Sequence, residues 1–173
     1  SSYRDGNWRD NEIPVLFDIL FKWMSSTAKK ILWYEGYNVY TSSEKCTNFI
    51  ENLKAWGYSV TPVATEPIAD IDLSQYDILI IPQLQLDRKT RYDGGNPDLL
   101  PDNDVQAIVD FVKNGGILVI SEQSDWGGYN WALVHNKILS ALDTDVRFQH
   151  DAVYDDDNTW TGDPWYPIAD VDT

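Results

Sequence analysis

The chain has 173 residues, 43% of them hydrophobic, with 13 Lys and Arg against 28 Asp and Glu and a formal net charge of −15. That length points to one domain, and the apolar fraction is enough for a packed core, which excludes a disordered chain. The acidity excludes nucleic acid, since little here would neutralise phosphates, and disfavours an anionic membrane surface.

Cys46 is the single cysteine, so no internal disulfide can form. No run of about 18 apolar residues occurs, so no membrane insertion by this segment is expected. The first strong pattern is helical: Ile13, Leu16, Phe17, Leu20 and Met24 fall on one helix face, with Asn11 as a cap and Pro14 in the first turn. After the linker SSTAKK comes a strand, KILWY. Thr41 and Glu44 then have capping-box spacing before a second helix, whose apolar side is Cys46, Phe49, Ile50 and Leu53 and whose end is marked by Gly57. YSVTPV is the next strand, and DILIIP is an unbroken apolar run suited to a strand covered on both faces.

A long polar loop leads to a third helix with the stripe Val105, Ile108, Val109 and Val112, closed by Asn114 and Gly115. GILVI reads as another fully buried strand. Trp131, Val134, Ile138 and Leu142 mark a fourth helix, followed by a weak strand near VRFQ. Strands alternating with amphipathic helices predict an α/β fold, a three-layer sandwich around a mainly parallel, flavodoxin-like sheet. Three segments are expected: a leading helix in 1–28, an α/β domain over 29–150, and an irregular acidic and aromatic tail over 151–173. The leading helix either closes a preceding domain or packs on this sheet. Both ends are expected to continue into a larger multidomain protein.

Ligands of an open parallel sheet bind at the C-terminal strand ends. Those ends carry EGYNVYTSSE, PQLQLDRK and SEQSDWGGYN. The order KILWYEGYNVY, NFIENLKAWGYSVTPV, LSQYDILIIPQ and DNDVQAIVDFVKNGGILVISEQSDWGGYN resembles the class I glutamine amidotransferase-like fold over about residues 29–150. It is most similar to non-catalytic relatives in secreted and cell-surface proteins. The resemblance implies a glutamine amidotransferase-like sheet and an extracellular or cell-surface setting. In catalytic members the segment like ILVISEQ delivers a cysteine at a nucleophile elbow, and a glycine-rich segment after the preceding strand supplies an oxyanion hole. Here Ser121 and Glu122 stand at the elbow, and Gln83 and Leu84 follow Pro82. Cys46 belongs to the apolar face of a helix and cannot substitute.

These departures favour a non-enzymatic module serving structure, assembly or ligand contact. The alternative is a hydrolase of an ester, amide or glycosidic bond, using Ser121 with His150 as its base, or Glu122 with Asp125 as an acid–base pair. The bland alternative for Glu122 and Asp125 is capping of the following turn, and for His135 a packed or capping place on its helix. Candidate ligand-binding residues are Glu35, Tyr37, Gln83, Gln123, Trp126 and Tyr129. Trp33, Tyr34 and Tyr40 are either part of the same saccharide- or protein-binding surface or ordinary packing. In the tail, Asp155, Asp157 and Asp163, with Asn158, offer oxygen ligands for a structural Ca²⁺, against the plain alternative of a solvated acidic loop. No other cofactor is expected. Expected partners are neighbouring domains or copies of the same protein.

Overall fold

The computed structural model describes residues 9–39, 41–86, 98–122, 130–150 and 157, with side chains from residue 15 onward. Among the described residues the helices and strands follow in the order α1 (Arg9–Met24), β1 (Lys30–Tyr34), α2 (Thr47–Ala55), β2 (Ser59–Val63), β3 (Ile78–Ile81), α3 (Asp102–Lys113), β4 (Ile117–Ile120) and α4 (Ala132–Ala141), with 3-10 turns in place of a helix between β2 and β3. The strands form one parallel sheet in the order β2-β1-β3-β4. The expected parallel α/β sandwich is what the chain adopts.

Alternation along the central strands divides the core in two. Leu32, Tyr34, Leu79 and Ile81 face one way and pack with Val105, Ile108 and Val109 of α3 and Val134 and Ile138 of α4. Ile31, Trp33, Ile78 and Ile80 face the other way, against Phe21 of α1 and Ile50 and Leu53 of α2. Both faces of β3 are thus covered, which is why its sequence is an unbroken apolar run. Gly57 and Gly115 have left-handed backbones, with φ of 87° and 95°, at the helix ends where the sequence placed them.

Several expectations need correction. Helix α1 starts at Arg9, so Asn11 and Pro14 lie inside it. Its buried side holds Phe17 and Phe21, while Leu16, Leu20 and Met24 of the expected stripe are exposed. The sequence stripe is one of two apolar sides of this helix, and the phenylalanines fill the gap over the sheet. Ahead of α2 no capping box forms from Thr41 and Glu44. A short 3-10 turn, Ser43–Lys45, intervenes, and the carboxylate of Glu35 takes the Ser43 N–H. Strand β4 is covered less than expected, because it is an edge of the described sheet: Ile117 is buried, and Leu118, Val119 and Ile120 are half-buried. Residues 146–149 form no strand. The Asn136 amide donates to the Phe148 carbonyl oxygen at 2.9 Å and accepts the Phe148 N–H at 2.9 Å, so the groups a ladder would use are taken.

One carboxylate ties the strand starts together. Asp77 Oδ2 accepts the N–H groups of Lys29 and Lys30, each at 2.8 Å. The Lys29 N–H, and then the Lys30 N–H, hold the Asp77 carboxyl below the usual carboxylate range. A depressed folded value stabilises the protein fully above about pH 4, and the contribution is lost as pH falls through the folded value. Asp77→Asn should therefore be less stable than the parent in urea at pH 6, with the gap narrowing as pH is lowered toward 2. A gap independent of pH would contradict this role for the Asp77 charge.

Candidate functional site

The strands run parallel, so their C-terminal ends share one edge of the sheet. The turn after β1 is tightly constrained. A Cβ on Gly36 would land on the Tyr34 hydroxyl, so the close backbone approach needs glycine there. Tyr37 and Asn38 follow with left-handed φ of 53° and 52°, a costly backbone for residues with side chains. Three contacts hold it. Glu66 accepts the Tyr37 N–H, the Gln85 N–H donates to the Tyr37 carbonyl oxygen at 3.0 Å, and the Tyr37 hydroxyl donates to Asp104 Oδ2 at 2.6 Å. Asp104 is fully buried, and its other oxygen accepts the Ala69 N–H at 3.0 Å. Burial first, and then the bond to Asp104, push the Tyr37 phenol far above its ordinary value, so it serves as a donor throughout the physiological range.

The β1 and β3 ends flank the point where the chain order switches direction, the usual ligand crevice of such sheets. Here the protein's own groups bridge it. Gln83, Leu84 and Gln85 are all buried in this region.

Beyond β4 the ladder continues for one bond, from the Ser121 N–H to the Ile81 carbonyl oxygen at 3.2 Å. Ser121 itself is exposed. Glu122 turns inward. Its Oε2 lies 2.7 Å from Nδ1 of His135 on α4, and the two side chains are 2% and 0% exposed. The contact is of ion-pair length but off the line of a well-aligned hydrogen bond, and His135 Nε2 has no hydrogen-bond partner. Phe148 covers the imidazole, with ring centroids 5.8 Å apart. Gln83 Oε1 and Asn130 Oδ1 are also buried without a hydrogen-bond partner.

The candidate residues thus separate. Glu35 is half-buried and committed to the Ser43 N–H, Tyr37 to Asp104, and Glu122 to His135. His150 is exposed in an irregular segment, and no hydrogen bond among the described residues joins it to Ser121. His135 is buried as expected, but its approach to Glu122 was not foreseen. Glu122 falls in step with Leu118 and Ile120 on the α4 side of the sheet, and His135 is next to the stripe residue Val134. That shared face was the signal available in the sequence. Trp33 and Tyr34 are core residues, at 5% and 0% exposure, which removes them from any binding surface. Cys46 precedes α2 and is half-buried, and burial pushes its thiol up to about 11, a poor nucleophile near neutral pH. Asp157 is exposed. Tyr40, Gln123, Asp125, Trp126, Tyr129, Asp155, Asn158 and Asp163 lie outside the described residues.

A depression of about 520 Å³ lies at the opposite edge of the sheet, lined by Thr27, Ala28, Tyr76, Asp77, Phe111 and Gly116. These residues precede the strands or end helix α3. It is large enough for a small molecule, but it lies away from the Glu122–His135 contact, so its size carries no functional weight here. Compared with known proteins, the chain matches no family model, no curated protein and no solved structure.

Removing one partner of a buried polar contact leaves the other unsatisfied away from water and costs about 1–3 kcal/mol, whereas removing both partners costs less. Glu122→Leu and His135→Phe should each destabilise the domain by about 2 kcal/mol, and the double variant by at least about 1 kcal/mol less than their sum. Strict additivity in a urea-unfolding cycle would show that the two side chains do not interact.

Proposed function

We propose that the chain is a non-enzymatic α/β module of a larger extracellular or cell-surface protein, serving structure, assembly or ligand contact. The observation that carries the reading is the inward Glu122–His135 contact at the β4 crossing. A nucleophile elbow works by presenting its group to solvent beside an available base. Here the carboxylate and the nearest histidine face each other in the interior, and the remaining exposed group, Ser121, has no described base. The bridged crevice between β1 and β3 supports the same reading, since it leaves little depth for a substrate. The resemblance to non-catalytic amidotransferase-like relatives and the net charge of −15 favour the extracellular setting.

Ligand contact then belongs to the outer rim of the strand ends, where Asn38 and Ser121 are exposed. A saccharide or a neighbouring protein fits such a rim better than a small molecule that needs a deep cleft. The competing hydrolase reading depends on Ser121 or Glu122, so one experiment addresses both. The parent, Ser121→Ala and Glu122→Gln should be assayed on a panel of ester, amide and glycoside substrates. All three should match the buffer blank, or share one residual rate that neither substitution changes. Turnover by the parent that either substitution abolishes would overturn the reading.

A further inference from the structure

Helix α1 runs through VLFDILFKWM between Val15 and Met24, and Asp18 and Lys22 are the charged residues in that stretch. At about 100° per residue, Phe17, Asp18, Phe21 and Lys22 share one side of the helix. That side is fully used. Phe21 is buried in the core, Lys22 Nζ donates to Asp18 Oδ2 at 2.6 Å, and the Tyr58 hydroxyl donates to Asp18 Oδ1 at 3.0 Å. The other side is Val15, Leu16, Ile19, Leu20, Trp23 and Met24. All six are exposed, from 40% at Leu20 to 82% at Trp23.

A helix with apolar residues on two sides has more apolar surface than one interior can cover, and this one has an interior on one side. We propose that the exposed side of α1 is a self-association surface, on which a second copy of this chain packs its own α1, antiparallel about a two-fold axis.

Area and charge select that occupant. The exposed fractions amount to about three whole large side chains, or roughly 600 Å² at about 200 Å² each. That is the upper end of what a monomer leaves in one apolar patch, about 300–600 Å². Doubled across a two-fold, it reaches roughly 1,200 Å², the lower bound of a specific interface. The face has no charged side chain from Val15 to Met24, so a basic partner finds no acid to pair with and an acidic partner finds no base. Two such faces meet without placing like charges in contact, despite the net charge of −15 on each chain. The two-fold arrangement is self-complementary: with the pair of helices centred on Ile19 and Leu20, Trp23 of one helix lies opposite Leu16 of the other, and Val15 opposite Met24.

The inference goes beyond the reading of the strand ends. A monomeric protein would leave that reading standing, and a hydrolytic activity would leave the α1 surface standing. The test is sedimentation equilibrium of the full 173-residue chain between about 1 and about 100 μM. A monomer–dimer equilibrium is expected, strengthened by added NaCl as repulsion between the acidic chains is screened. Trp23→Lys and Ile19→Lys should each weaken the dimer at least about 30-fold, the loss typical of a central anchor. The far-UV circular dichroism of the dilute monomer should not change, because both positions face solvent. Leu16→Ser is a milder variant should either lysine variant fail to fold, and it should weaken the dimer in the same direction. A monomer at the highest concentration, or a dimer indifferent to every folded variant, overturns the proposal.

Discussion

Asp104 has no exposed surface, and both of its oxygens are used inside the domain, one by the Tyr37 hydroxyl and the other by the Ala69 N–H. A carboxyl group taken out of water is tolerated only when its oxygens are satisfied. Here the first turn of α3 adds the favourable end of the helix dipole. The contact joins α3 to the turn after the central strand β1. With it, Tyr37 and Asn38 can hold a left-handed backbone, the Gln85 N–H can reach the Tyr37 carbonyl, and the β1 and β3 ends close on each other. Without it, two strained residues would sit at the mouth of an open crevice.

The second constraint lies one strand away. Glu122 and His135 meet just beyond the C-terminal end of β4. A buried polar contact of this kind is weak evidence of stability, because desolvation offsets much of the attraction. Its effect here is directional: it turns the last side chain of the β4 ladder toward α4 instead of outward. Trp33 Nε1, Gln83 Oε1, Asn130 Oδ1 and His135 Nε2 have no hydrogen-bond partner, at a cost of about 1–3 kcal/mol for each such buried group.

The layers of the fold were legible because they rest on local patterns. DILIIP announced a strand covered on both faces, and Asn114-Gly115 announced a helix end with a left-handed glycine. Burial on α1 is not legible in its sequence, because both of its sides carry large apolar residues and periodicity does not say which one meets the sheet. VRFQ has the composition of a strand, but the Asn136 side chain claims its backbone, and a contact across twelve positions leaves no local trace. The site was less legible for the same reason. Tyr37 with Asp104 and Glu122 with His135 are pairs distant in sequence, joined by packing of α3 and α4 on the sheet. Ser121 and Glu122 stand directly after β4, as the strand order implies, but the inward direction of Glu122 follows only from the face it shares with Ile120.

The central claim is that the crevice between β1 and β3 is closed by the protein's own groups. Amide hydrogen exchange reads this directly at two positions, the Gln85 N–H bonded to the Tyr37 carbonyl and the Tyr37 N–H bonded to Glu66. Both should exchange slowly, within about tenfold of the amides of β3, because opening them requires the strand ends to part. Exchange of both at the rate of an unprotected loop, with β3 still protected, would show a crevice that opens freely and would contradict the account.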